Sequence, residues 1–98
     1  MEEFINVHPG EILKEEYLDP LGITPYRIAK SIGVQQIQIS NIIKGKTAIS
    51  PDMAARLGKF FENSAESWLN LQRNHDLRKI RHEKKDILDG IPNYKQAS

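Results

Sequence analysis

Thr24-Pro25-Tyr26-Arg27-Ile28-Ala29-Lys30-Ser31-Ile32-Gly33-Val34-Gln35-Gln36-Ile37-Gln38-Ile39-Ser40-Asn41-Ile42-Ile43-Lys44-Gly45-Lys46-Thr47 decides the fold of this chain. Thr24 is a good helix N-cap, and Pro25 stands at the first helical position, where its missing N–H has no intrahelical partner to lose. Ile28, Ala29 and Ile32 make the apolar face of a two-turn helix. Gly33, free to take a positive φ, ends it. Val34 opens a second helix with Ile39, Ile42 and Ile43 inward and Gln36, Gln38, Asn41 and Lys44 outward, closed by Gly45. A tight helix-turn-helix needs a small residue where the helices pass, a glycine in a short turn, and apolar positions that lock the crossing. Ala29, Gly33 and the set Val34, Ile39 and Ile42 meet those needs. The β-branched run could suggest a strand, but a spacing of 39, 42 and 43 is helical, and so are the patterns on both sides.

Outward from this core the same punctuation repeats. A first helix is expected from about Pro9 to Asp19, with Glu11 in its first turn and Ile12, Leu13 and Tyr17 at helical spacing; Pro20 and Gly22 close it. Ser50-Pro51 starts a fourth helix, in which Met53, Leu57, Phe60 and Phe61 form a one-sided stripe. Ser64 caps a fifth, about 64–83, where Trp68, Leu71 and His75 make one row and Leu69, Asp76 and Ile80 lie near another. From Asp86 the sequence loses its period, and Gly90 and Pro92 break it. The expected architecture is therefore all-α, with five helices in one domain over residues 1–85, a helix-turn-helix core at 24–47 and a loose tail over 86–98. That tail could dock through Ile87, Leu88 or Ile91.

Composition bounds the function. Ninety-eight residues, 39% hydrophobic and 28% charged, make one modest globular core. The absence of cysteine excludes a disulfide framework, a thiol nucleophile and a thiolate zinc site. The acidic start Met1-Glu2-Glu3-Phe4 has no apolar signal region, and no apolar run approaches the ~18 residues of a membrane span, so the cytoplasm is the expected location. A net charge of +1 at first argues against a nucleic-acid partner. The charge is unevenly placed, however. Residues 1–20 sum to −5, residues 21–61 to +5, and residues 62–98 to +1, which points to located partners.

A helix-turn-helix with a +5 middle makes double-stranded DNA the expected ligand. The first turn of the second helix meets base edges in the major groove. Gln36, Ile37, Gln38 and Asn41 are therefore the expected base-contacting residues. Glutamine can pair bidentately with adenine, and an exposed isoleucine suits a thymine methyl. Lys44, Lys46 and Thr47, at the helix end and the following loop, and Thr24, at the start of the first helix, are expected at phosphates. A homodimer is expected on a palindromic operator, since one small module reads few base pairs. Its interface is placed on the fifth helix at Trp68, Leu69, Gln72, Arg73 and Asp76, although Trp68 itself reads first as a core residue, with the dimer contact as its alternative.

Two motifs outside that core carry a family resemblance. One is His8-Pro9-Gly10-Glu11-Ile12-Leu13, followed by Tyr17-Leu18 and Pro20-Leu21-Gly22. The other is Ser64-Ala65-Glu66-Ser67-Trp68-Leu69-Asn70-Leu71-Gln72, followed by Asp76-Leu77-Arg78. With Tyr26-Arg27-Ile28-Ala29-Lys30 and Gly45-Lys46 between them, residues 8–80 resemble the antitoxins of HigBA-type toxin–antitoxin pairs, within the lambda-repressor-like (Xre-type) helix-turn-helix group. The resemblance implies a dimer that represses its own operon and neutralises a HigB-like toxin, a RelE-like ribosome-dependent mRNA endonuclease. The chain departs from the family pattern in three places. Pro25 stands where many relatives carry a DNA-contacting glutamine, His75 where tyrosine is more frequent, and Ile37 where a small polar residue is usual.

Such a toxin binds RNA and is expected to be basic, so Glu11, Glu15 and Glu16 on the acidic first helix form the expected toxin-docking surface, with the tail from Asp86 as the competing site. A metal is not expected. His75 and His82 are seven residues apart, about 10.5 Å along a helix, too far to share one ion. No cofactor, small-molecule substrate or catalytic constellation is indicated. A stand-alone repressor is the rival within the binding class. An enzyme such as the nuclease itself is the rival outside it, and would need a sheet bearing catalytic His, Arg or Lys.

Overall fold

A computed structural model describes residues 3–97 and is all-helical among them. Helix α1 starts as Pro9–Ile12, continues as a π-helical stretch Leu13–Leu18, and ends as Asp19–Leu21. Then follow α2 (Pro25–Ile32), α3 (Gln36–Ile43), α4 (Pro51–Phe61) and α5 (Ala65–Glu83), with two short helices, α6 (Lys85–Asp89) and α7 (Tyr94–Ala97). The five expected helices are present. Thr24, Ser50 and Ser64 each cap the helix that follows, their side-chain oxygens accepting from the amides of Arg27, Met53 and Ser67.

Helix α1 departs from the simple expectation that Pro20 would close it. The helix runs on through Leu21, because the preceding turn is wound with i→i+5 bonds, Asp19 N–H reaching Lys14 O. A proline ring clashes with the carbonyl four residues back in an α-helix, and the wider π turn moves that carbonyl aside. The same winding brings Leu13 and Leu18, five residues apart, into the core, where both are fully buried. Ile12 and Tyr17, read from the sequence at α-helical spacing, are only half-buried.

The core joins Leu13 and Leu18 of α1 to Ile28 and Ala29 of α2, Ile39 and Ile42 of α3, and Met53, Ala54 and Leu57 of α4. Trp68 of α5 and Ile49 in the α3–α4 loop complete it. Each fully buried large aliphatic side chain contributes about 1.5–3 kcal/mol. Gly10 sets how closely α1 lies on α3. A Cβ there would fall 1.8 Å from Ile42 O, so no other residue permits this crossing.

Trp68 is 1% exposed. Its indole N–H donates to Asn63 Oδ1 at 2.8 Å, Asn63 Nδ2 donates to the Tyr17 hydroxyl, and the rings of Tyr17, Phe61 and Trp68 pack together. Its polar atom and its surface are satisfied within the chain.

The molecule is elongated. Its radius of gyration is 16.9 Å, against roughly 13 Å for a compact domain of this length. The excess comes from the second half of α5 and from α6 and α7, which leave the core. The stretch expected as a loose tail is helical in part, and none of residues 84–95 is buried. Ile87 and Ile91 are more than 60% exposed and Leu88 is 39% exposed, so none of the three docks on the core.

The extended N-terminal segment runs beside α5. Asn6 Nδ2 donates to His75 O, Arg78 Nε donates to Ile5 O, and Phe4 stacks on His82 at 3.7 Å. Met1 and Glu2, part of the acidic start, lie outside the described residues.

Candidate nucleic-acid interface

The turn between α2 and α3 is built from its glycine outward. Gly33 takes φ 75°, a left-handed conformation that favours glycine, and Val34 N–H bonds back to Ala29 O at 2.9 Å. Arg56 of α4 reaches across to this turn. Its Nη1 donates to Ile32 O at 2.6 Å and to Gly33 O, while its Nε pairs with Asp52. A cation at a helix C-terminus satisfies carbonyls that the helix leaves open. Arg56 is one of the six cations of the +5 middle segment; it clamps the turn instead of facing a ligand.

Helix α3 exposes its first turn. Gln36, Ile37 and Gln38 all lie at the surface, and Ile37 is 57% exposed. Asn41, one turn on, is half-buried. The side chain of Gln38 is already engaged, because its Oε1 accepts from Gln35 N–H at 2.9 Å and closes the helix start. An amide oxygen has two lone pairs, so the cap limits how Gln38 turns toward a base while leaving one acceptor site and both donors for pairing. Gln36 carries no such constraint.

The residues expected at phosphates flank this turn. After α3 the chain folds back so that Lys46 N–H and Thr47 N–H both reach Asn41 O, at 2.8 and 3.4 Å, across Gly45 at φ 74°. This holds Lys44, Lys46 and Thr47 exposed around the end of the helix. Gln38, Asn41, Thr47, Ala48 and Ser50 line one shallow groove, so base-facing and phosphate-facing residues meet there. Pro25, Ser40 and Lys44 share a second cleft, which sets the capped start of α2, with Thr24, beside the end of α3. Among the described residues neither Lys44 nor Lys46 has an ion-pair partner, so both charges are available to an anion.

The residues expected at a dimer contact divide. Trp68 is core, as its first reading expected, and Gln72 is buried with it, at 1% and 6% exposure, so neither forms a partner surface. Leu69 is half-buried, and Arg73 and Asp76 are exposed. Helical periodicity finds the faces of α5 but does not say which face the core takes. Gln72 is bound inward: its Oε1 accepts from Ile49 N–H at 2.8 Å, and its Nε2 donates to Asp76 Oδ1 at 2.9 Å.

Glu11, Glu15 and Glu16 are exposed along α1. Lys14, the lone cation of that segment, is paired with Asp19 at 2.8 Å, so the negative charge of these three glutamates is not offset by it.

The histidine that meets His75 is His8, not His82. Their rings lie 4.9 Å apart, edge to face. His8 Nδ1 accepts from Gly10 N–H and caps α1. Partial burial holds His8 below the ordinary imidazole pKa, and His75 adds to this, while Asp76 and Glu11 oppose it. No group of three or more potential metal-ligating side chains exists among the described residues. No helix of the described residues is long and apolar enough to cross a membrane.

Comparison with known proteins agrees with this geometry. The Helix-turn-helix family model matches residues 13–68. Virulence-associated protein I of Dichelobacter nodosus is 41% identical over 86 residues, covering 88% of this chain and 80% of that protein. Antitoxin HigA-1 of Vibrio cholerae is 41% identical over 71 residues, 72% of this chain and 67% of that one. Among solved structures, the Pseudomonas aeruginosa antitoxin HigA with the higBA promoter superposes with a TM-score of 0.87 at 35% identity, over 92% of this chain and 99% of that one. The family and its structural neighbours are helix-turn-helix antitoxins and regulators rather than enzymes. The chain belongs to the helix-turn-helix family, in its HigA-like branch.

Proposed function

We propose that this protein is a cytoplasmic antitoxin that binds the promoter of its own operon through α3, represses transcription there, and neutralises a HigB/RelE-like mRNA endonuclease. The observation that carries the reading is the exposed first turn of α3, flanked by Lys44 and Lys46, which have no ion-pair partner among the described residues. It occurs in a chain that superposes over 92% of its length on a HigA antitoxin solved with promoter DNA. Gln36, Ile37, Gln38 and Asn41 read base edges, and Gln38 also holds the helix start. Lys44, Lys46, Thr47 and the capped start of α2 at Thr24 hold the backbone. Repression is occupancy of a palindromic site by a homodimer, whose contact uses the outer side of α5, at Leu69 and Arg73, while the Asp76 carboxylate is engaged by Gln72 and His75. The exposed Leu77 and Ile80 extend that surface along the helix. Glu11, Glu15 and Glu16 dock the basic toxin.

The test is co-purification with the product of the adjacent open reading frame, together with footprinting on the chain's own promoter. A stable complex and a protected palindrome are expected. A protected promoter with no toxin partner would leave a stand-alone repressor. No protection at low salt would remove the DNA reading. Reversing Glu11, Glu15 and Glu16 to lysine is expected to weaken toxin affinity and flatten its salt dependence; unchanged values would exclude α1 as the docking surface.

A further inference from the structure

Gln72 is the one buried polar side chain among the described residues outside the apolar core set, and it lies more than twenty residues from the segment it holds. A buried amide is destabilising unless its hydrogen-bonding groups are met. Both ends of this one are met, and in one orientation only. Asp76 Oδ1 accepts from Nε2 at 2.9 Å and also contacts His75 Nδ1 at 3.2 Å. A carboxylate is acceptor-only, so it fixes which end of the amide faces outward. Oε1 is thereby turned inward to accept from Ile49 N–H at 2.8 Å.

Ile49 ends the segment that leaves the recognition helix. That segment is pinned at its start by Lys46 N–H and Thr47 N–H on Asn41 O, and at its end by Gln72 and by the buried Ile49 side chain. The side chains of Lys46 and Thr47, at the first anchor, and of Ala48, between the two, are all exposed. We propose that Gln72, oriented by Asp76, is a positioning residue for DNA binding: from α5 it fixes the loop that presents Lys46 and Thr47 to phosphates. The assignment rests on the DNA-binding reading above. It also connects the exposed side of α5, where Asp76 lies, to the DNA-facing loop through two hydrogen bonds.

The experiment measures affinity and salt dependence for duplex DNA from upstream of the chain's own gene, and for a random-sequence duplex at low salt. Backbone amide exchange at Ile49 is read in the same proteins. Gln72→Met keeps the volume and removes the acceptor. It is expected to retain helical content, lose protection at Ile49, bind both duplexes roughly tenfold more weakly, and lower the salt slope by about one. A loss of folding alone would reduce active protein without changing that slope. Gln72→Glu places two carboxylates together and is expected to be impaired. Adding Asp76→Asn reverses the pair, so that the new carboxylate accepts from both Ile49 N–H and the amide introduced on the next turn, and is expected to restore affinity, slope and protection. Should Gln72→Met fail to fold, the comparison of Gln72→Glu with the double variant decides. A folded Gln72→Met with unchanged affinity and slope, or a double variant no better than Gln72→Glu, would overturn the assignment. Absence of binding by the unmodified chain would overturn the DNA-binding reading, and the assignment with it, whereas the two variant outcomes overturn the assignment alone.

Discussion

Lys46 and Gln36 illustrate two kinds of contact that one exposed surface can make. Lys46 stands on a loop held by its own backbone, with no ion-pair partner among the described residues, and a phosphate contact carries no sequence information. Lys46→Ala is therefore expected to weaken binding to all duplexes alike and to reduce the salt slope by about one, whereas Gln36→Ala should cost ~1–3 kcal/mol and relax preference at one base. Salt titrations on operator and scrambled duplexes separate them; a Lys46→Ala slope equal to the parent's removes that residue from the phosphate set. Glu62 offers a different residue-scale test. It ends α4 at φ 57°, the only positive φ outside glycine among the described residues, and is exposed. Left-handed backbone strains a residue that carries a Cβ, and glycine relieves the strain at some entropic cost in the unfolded chain. Glu62→Gly is expected to stabilise by roughly 0.5–1 kcal/mol, seen as a higher Tm; a fall in Tm would mean that the Glu62 side chain contributes more than the strain it carries.

Among the elements, the position of α1 on α3 depends on one absent side chain. Gly10 meets the backbone of Ile42 and Ile43, which cannot move without shifting the recognition helix. Gly10→Ala is expected to destabilise by about 3 kcal/mol and to weaken DNA binding beyond the loss of folded protein. Urea unfolding, with titration of the fraction competent to bind DNA, checks both; a well-folded variant with parental affinity would mean that α1 does not hold α3 in place. The π-helical Leu13–Leu18 stretch acts at the same scale. Hydrophobic spacing assumes 3.6 residues per turn, so Leu13 and Leu18 could not be paired from periodicity, while α2, α4 and the turn at Gly33 could. Trp68 is legible in the sequence as core, being a large aromatic on a helix face, whereas Gln72 is not, because a polar residue on that face reads as surface or interface until its partners are known.

For the whole molecule, acid is expected to loosen the junction of the N-terminal segment, α1 and α5. His8 accepts from Gly10 N–H as a neutral ring, and burial and His75 lower its pKa in the folded state. Between the lowered folded pKa and the ordinary value near 6.5, the unfolded chain binds more protons than the folded one. Stability is therefore present above pH ~6.5 and falls as pH drops through that value. Tm should decrease between pH ~7.5 and ~5.5, and His8→Asn, which can still cap α1, should flatten that decrease. An equal decrease in the variant would assign the effect to other groups. The distal chain is expected to matter little to folding, since no side chain of residues 84–95 is buried. Truncation after Glu83 should change stability by less than about 0.5 kcal/mol; a larger loss in calorimetry would show that the distal helices dock.

By itself the sequence determined the five main helices of this protein, the caps at Thr24, Ser50 and Ser64 and the identity of the helix-turn-helix, because caps, prolines, glycines and apolar spacing act over a few residues and are written locally. It also placed Gln36, Ile37 and Gln38 outward on α3, where the structure exposes them. Only the tertiary structure decided that Arg56 clamps a turn, that His8 meets His75, that Gln38 closes a helix start, and that Gln72 faces inward to the loop after α3. Except for Gln38, these contacts join residues more than twenty positions apart. Their direction follows from how α1, α4 and α5 close around one core, which no local pattern specifies.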